Sequence, residues 1–213
     1  MSDDNNKAAN RRPLTSRSTP WAKAFANALV RSGVTPNAIS VISILFALIG
    51  AALLLHTRTI FGLIGVALCV QLRLLCNLLD GMVAIEGKRQ SPTGALYNEI
   101  PDRVADSLFI VALGYAVGEP WLGWLGALAA AVTAYIRVLG GSLGLPQDFR
   151  GPLAKPHRMA VLTGACVLGA VELAVNGTLW ALLAAAWVIA VGSIVTCFTR
   201  TLAIARLLRA KAS

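Results

Sequence analysis

The chain has 213 residues, of which 56% are hydrophobic and only 14% charged, and its mean hydropathy is +0.68. About a quarter of the residues in a soluble domain are charged, so this composition excludes a soluble globular protein and points to helices in a bilayer. The net charge of +9 reads as a signal for membrane orientation and anionic lipid and not for nucleic acid, because the basic residues gather between the apolar stretches.

In chain order, residues 1–19 are polar, lack the apolar core of a signal peptide and are expected to be a disordered tail. Thr19-Pro20 opens a short helix over 20–32, with Trp21, Phe25 and Leu29 on one face and Lys23, Asn27 and Arg31 on another. That pattern predicts an interfacial amphipathic helix. Gly33 can end it, and Thr35-Pro36 can cap the next helix. Apolar stretches long enough to cross a bilayer, roughly 20 residues each, follow at 37–57, 59–85, 94–117, 120–144, 159–177 and 178–198. The expected fold is therefore all-α, a polytopic membrane protein with six transmembrane helices forming one domain over 33–200, with a basic tail over 201–213. Six basic residues precede residue 37, two lie in the 86–93 loop, three in 145–158 and four after 198, whereas the opposite loops hold only Arg58. By the positive-inside rule both termini face the cytoplasm, and the expected location is the inner (cytoplasmic) membrane. The four cysteines lie singly in apolar spans and read as small buried hydrophobes.

Polar groups at membrane depth are costly and usually mark function, and they concentrate on two spans. Asn77 and Asp80 are three residues apart, while Asn98, Asp102 and Asp106 are spaced by four, so each set forms one stripe of its helix. The second span begins at Thr59 and Asp80 lies one hydrocarbon thickness, about 31 Å, further on. The chain then turns and goes back into the membrane at Ser91-Pro92, read as an N-cap with proline at N1. Both stripes thus occupy the cytoplasmic end, and antiparallel neighbours can turn them toward each other. Arg73 shares the face of Asn77 and can neutralise or orient the acids. Gly81, Ala84 and Gly94 permit close helix packing or the approach of a flat ligand to the backbone, and Pro101 should bend its helix within the stripe. Clustered carboxylate and amide oxygens suit a hard divalent cation, which in turn suits a pyrophosphate awaiting attack. Arg137, Arg150, Lys155 and Arg158 offer further phosphate or acceptor contacts. Glu172, His56 and His157 read as surface residues.

The run Asn77-x2-Asp80-Gly81-x2-Ala84-Ile85, eight residues, then Gly94-x3-Asn98-x3-Asp102 resembles the signature of the CDP-alcohol phosphotransferase (CDP-alcohol phosphatidyltransferase) family with every spacing kept. Gly33-Val34-Thr35-Pro36-Asn37, Tyr135-Ile136-Arg137 and the Lys155–Arg158 segment look like further family elements. The resemblance implies a six-helix homodimeric enzyme of phospholipid biosynthesis that uses Mg2+ or Mn2+. Such an enzyme moves the phosphatidyl or other substituted phosphate group of a CDP-linked lipid, such as CDP-diacylglycerol, to an alcohol hydroxyl and releases CMP. It also implies that Asp80 and Asp102 are catalytic, that Asp80, Asp102, Asn77, Asn98 and Asp106 form the candidate metal set, and that Gly81, Ala84, Gly94 and Asn77 receive the CDP. Arg137, Arg150, Lys155, Arg158 and Arg73 are left to phosphate and acceptor.

Asn77 and Asn98 stand where the family has aspartates and Ile85 where it has arginine, a pattern similar to a YnbA-like bacterial subgroup. Asn ligates through its carbonyl oxygen without bringing charge, so full occupancy of a two-metal site is in question. Asp106 can supply a carboxylate one turn deeper, and Lys88 or Arg89 can replace the missing arginine. Two other readings stay open: a weakened relative that binds CDP-lipid or metal without turnover, and a small ion or solute transporter. The acceptor alcohol is not legible.

Overall fold

The computed structural model describes residues 19–56, 59–87 and 91–212, so the 1–18 segment, Arg58, Lys88 and Arg89 lie outside the described residues. The described chain is all helical: α1 Pro20–Arg31, α2 Pro36–His56, α3 Ile60–Glu86, α4 Gly94–Ala116, α5 Pro120–Ser142, α6 Lys155–Val175 and α7 Trp180–Ala212. Five of them, α2, α3, α5, α6 and α7, are long and apolar enough to cross a membrane. The 23-residue α4 is of similar length but carries Glu99, Asp102, Arg103 and Asp106.

Helix starts follow local chemistry. Pro20 lies in the first turn of α1, where its missing N–H costs nothing, and Gly33, at φ +81, ends that helix in a conformation that favours glycine. Thr35 Oγ1 accepts from the Ala38 backbone N at 3.2 Å, capping α2 as expected. Thr59 does the same for α3 through the Gly62 N. Three boundaries differ from the sequence reading. Ser91–Thr93 form a turn, and α4 starts at Gly94 behind Thr93, not at Pro92. α6 starts at Lys155, because Pro156 falls in the first turn where proline is tolerated, so Lys155 and Arg158 ride on a helix and not in a loop. The last helix runs on without a break to Ala212, taking up residues 201–212.

Packing contacts join α2 to α3, α3 to α6, α6 to α7, α7 to α5, α5 to α4 and α4 back to α2. The six long helices therefore close a ring. α3 and α4, expected to pack directly, meet mainly through long polar side chains, each having its main backbone neighbours elsewhere. Inside the ring an apolar core gathers Val66, Val70, Phe109, Leu113, Leu122, Met159, Leu162, Leu182 and Ile189. Lipid is as apolar as these side chains, so close packing must supply the cohesion. Glycines make it possible at α4 and α5, where a Cβ on Gly114 would lie 2.5 Å from the Gly123 Cα. α1 lies on α2 and α3 through Ala22 and Ala26, against Ile39, Leu79, Met82 and Val83. Its buried stripe is thus alanine, with Leu29 half-buried, while Trp21 and Phe25 point away from the bundle.

Candidate active site

One end of the ring holds a buried polar network. Arg73 on α3 is fully buried, and its NH2 group donates to Asp102 Oδ1 at 3.2 Å and Asp106 Oδ1 at 2.7 Å, both on α4. The other Asp106 oxygen accepts from Arg158 NH2 at 3.0 Å, and Arg158 NH1 donates to the Leu153 carbonyl at 2.7 Å. Asp106 is thereby committed on both oxygens, so it anchors α3, α4 and α6 together. Asp102 Oδ1 also accepts from Asn77 Nδ2 at 2.8 Å, and its Oδ2 pairs with Lys155 Nζ and, at 3.7 Å, with Arg103. Buried charges persist only when paired and hydrogen-bonded, and this interlock meets that condition for the acids.

Asp80, also buried, is held differently. Ser40 Oγ of α2 donates to its Oδ2 at 2.7 Å and the Gly81 backbone N to its Oδ1. It lies within electrostatic reach of Asp102 and Lys155. Asn77, Asp80, Asp102, Asp106, Arg73, Lys155 and Arg158 are thus brought to one place. Asn98 is exposed one turn before Asp102, and Arg150 is exposed on the surface, paired with Asp148 at 3.0 Å. Arg137 belongs to a separate group, with its guanidinium on Glu99 and Gln147 and over the Phe149 ring at 5.5 Å. Gly81 and Ala84 are half-buried, and a Cβ on Gly94 would meet only Ser91 Oγ, at 3.6 Å, so no packing demand explains that glycine. Ile85, in the place of the family's arginine, is half exposed.

Two residues of this region were not legible beforehand. Ser40 is a lone hydroxyl in an apolar helix. Arg200, counted among the tail cations, is 4% exposed and donates to the Arg150 and Thr133 carbonyls, each at 2.7 Å. With Thr196 Oγ1, which accepts from the Leu153 N at 3.0 Å, it ties α7 to the segment leading into Lys155. Every long helix therefore contributes to this end.

The acids and the Asn77 amide offer oxygen ligands, the chemistry a hard divalent ion requires, alongside the nitrogen cations of Arg73, Lys155 and Arg158. Among the described residues no three His, Cys, Asp or Glu side chains form a metal cage. Asp80, Asp102 and the Asn77 amide are the oxygen-bearing side chains here that would serve such an ion, Asp80 with Ser40 and the Gly81 N–H on its carboxylate and Asp102 with both oxygens already in contact with Arg73, Asn77 and Lys155.

No family model matches the chain. It is 32% identical over 194 residues to a phosphatidylinositol phosphate synthase of Streptomyces avermitilis, covering 85% of this chain and 77% of that one. A protein of the same name from Mycobacteroides abscessus is 28% identical over 180 residues, covering 81% and 78%. Among solved structures, the phosphatidylinositol phosphate synthase of Mycobacterium tuberculosis superposes with TM-score 0.71 at 22% identity. This holds both for its complex with manganese and citrate, covering 86% of this chain and 88% of that one, and for its complex with CDP-DAG, covering 86% and 92%. At that identity the structural likeness speaks for the fold. The signature spacing, the two stripes joined in one polar network and the sequence relatives agree: the chain belongs to the CDP-alcohol phosphatidyltransferase family, membrane enzymes of phospholipid biosynthesis.

Proposed function

We propose that the polar end of the ring is the catalytic site and that the alcohol accepting the phosphatidyl group of a CDP-linked lipid is a phosphorylated polyol, an inositol phosphate. What supports the acceptor is the name carried by the sequence relatives, together with the cationic side chains of Lys155 and Arg158 in the network and of Arg137 in the separate group with Glu99. The observation that carries the site is the joining of Asn77 and Arg73 on α3 to Asp102 on α4, close to Asp80.

In this reading Asp80 and Asp102, with the amide oxygen of Asn77, would hold Mg2+ or Mn2+, which would supply neutralising charge to the donor's pyrophosphate; Asn98, exposed one turn before Asp102, would join them only at the open side of the site. Asp102 takes the proton of the acceptor hydroxyl. The freed oxygen forms a bond to the lipid-bearing phosphorus, and the bridging P–O bond breaks, so that CMP leaves with the electron pair. Arg73, Asn77 and Lys155 orient Asp102, while Ser40 orients Asp80. Asp106 fixes Arg73 and Arg158 and takes no part in the transfer. The open backbone at Gly94, with Gly81 and Ala84, leaves room for the cytidine. Arg137, paired with Glu99, and the exposed Arg150, paired with Asp148, would meet the acceptor's phosphate.

We infer further that α4 is the sixth span, its charges facing the ring, and that α1 lies in the interface with Trp21 and Phe25 toward lipid. The basic segments support a cytoplasmic side for the site and both termini. The protein acts as a homodimer and belongs to a YnbA-like subgroup marked by Asn77 and Asn98. Those two amides and Ile85 favour a second reading, a relative that binds donor without turnover. The deciding experiment is CMP release by the full chain in lipid nanodiscs, given CDP-diacylglycerol, Mn2+ or Mg2+ and a pool of alcohols that includes inositol phosphate, with Asp80→Asn as control. Metal- and Asp80-dependent CMP supports the transferase; bound donor without CMP supports the second reading.

A further inference from the structure

The charge balance of the buried network is unusual for a site meant to collect cations. Arg73, Arg103, Lys155 and Arg158 face Asp80, Asp102 and Asp106, so fixed cations outnumber carboxylates before any metal is added. Both oxygens of Asp106 are taken by guanidinium groups. Asp102 carries the Lys155 ammonium on one oxygen and the Asn77 amide on the other. Positions 77 and 98, where carboxylates would offset this excess, hold neutral amides. A first divalent ion still has Asp80 and a share of Asp102. A second would find no carboxylate of its own and would sit beside a fixed ammonium, and two like charges a few ångströms apart repel by several kcal/mol even at an effective dielectric of about 20.

We propose that Lys155 fills the place of a second cation: its ammonium is the fixed positive charge that neutralises Asp102 and faces the donor's pyrophosphate, and the site binds a single divalent ion. Its position supports this. Lys155 opens α6, and the segment before it is held to α7 by Thr196 and Arg200, so the ammonium is delivered by a braced backbone and not by a free loop. An ion-pairing lysine is a compact point charge with three donors, able to hold a carboxylate and a phosphate oxygen together. This inference rests on the transferase reading above for its substrate, but its metal count does not.

The test uses Mn2+ alone with the full-length protein in detergent, counting bound ions by equilibrium dialysis and reading them by electron paramagnetic resonance. Wild type should bind one Mn2+ per chain. Lys155→Gln should bind Mn2+ roughly tenfold more tightly, because a like charge has been removed from beside the ion, while CMP release falls. Lys155→Arg should keep the wild-type affinity, and Asn77→Asp/Asn98→Asp/Lys155→Gln should take up a second ion with spin coupling between the two. A misfolded variant would lose affinity and turnover together and cannot imitate that opposite movement. Two Mn2+ per wild-type chain, none at all, or weaker Mn2+ binding in Lys155→Gln would each overturn the proposal. CMP release with two ions bound would sink the single-ion inference and leave the transferase standing. One bound ion without CMP release would do the reverse.

Discussion

The two ends of the helix ring are stabilised by opposite means. At the polar end, buried Arg73, Asp102, Asp106 and Arg158 are interlocked by ion pairs. At the other end Trp121 and Trp187 meet edge to face at 5.4 Å, Trp124 Nε1 reaches the Tyr115 hydroxyl at 3.5 Å, and α4 crosses α5 on Gly114 and Gly123. Aromatic contacts and close backbone packing cost little desolvation. Buried ion pairs are often no more stabilising than apolar side chains of the same volume, so the polar end is explained by chemistry and the aromatic end by cohesion. Mutations should separate the two.

The largest expected effect is on turnover at the polar end. Asp102→Asn or Asp80→Asn should each lower CMP release by at least about 100-fold, the scale of losing a general base or a metal ligand, with the folded protein still recovered by size-exclusion chromatography. Full activity in either variant would remove that residue from the mechanism. Arg158→Ala acts on stability instead. It leaves one Asp106 oxygen unpaired in a buried setting, and a loss of about 3–5 kcal/mol should appear as a strongly lowered unfolding midpoint in detergent. If the midpoint holds, Asp106 is anchored by Arg73 alone. At the other end, Gly114→Ala forces a methyl group to 2.5 Å from the Gly123 Cα. Overpacking of this kind costs about 1–3 kcal/mol, while turnover per folded molecule should be unchanged, because no side chain of the polar network touches Gly114.

The same contrast explains what could be read from the chain in advance. The stripes at 77–80 and 98–106 were legible because helical periodicity alone puts them on single faces, and Arg73 followed from its spacing to Asn77. The order of helices around the ring was not, since spacing within a helix says nothing about its neighbours; hence α2, and not α3, proved to be the principal partner of α4. Ser40 carried no signal, because a hydroxyl in an apolar helix ordinarily bonds back to its own turn, as Ser40 also does to the Pro36 carbonyl at 3.2 Å. Arg200 was hidden by position: followed by Arg206, Arg209 and Lys211 on one uninterrupted helix, it looked like a topology signal until burial and two carbonyl contacts singled it out. Lys155 was misplaced into a loop by the proline after it.

The smallest effect tests an acid at the aromatic end. Glu172, near the end of α6, accepts the Ala181 backbone N–H with both carboxylate oxygens, at 3.2 and 3.1 Å. It therefore caps the first turn of α7, where unpaired N–H groups and the helix dipole favour an anion. This is a structural use, unlike that of the acids at the polar end, and the reading of Glu172 as a solvated surface acid gives way to a half-buried cap. Glu172→Gln keeps an acceptor oxygen but loses the charge, so it should cost about 0.5 kcal/mol, whereas Glu172→Ala also leaves the N–H without its partner and should cost about 1 kcal/mol. Neither should change CMP release or its metal dependence. A fall in turnover at unchanged thermal stability would contradict the division drawn here, because it would couple the two ends of the ring through α7, whose Thr196 and Arg200 brace the segment that carries Lys155.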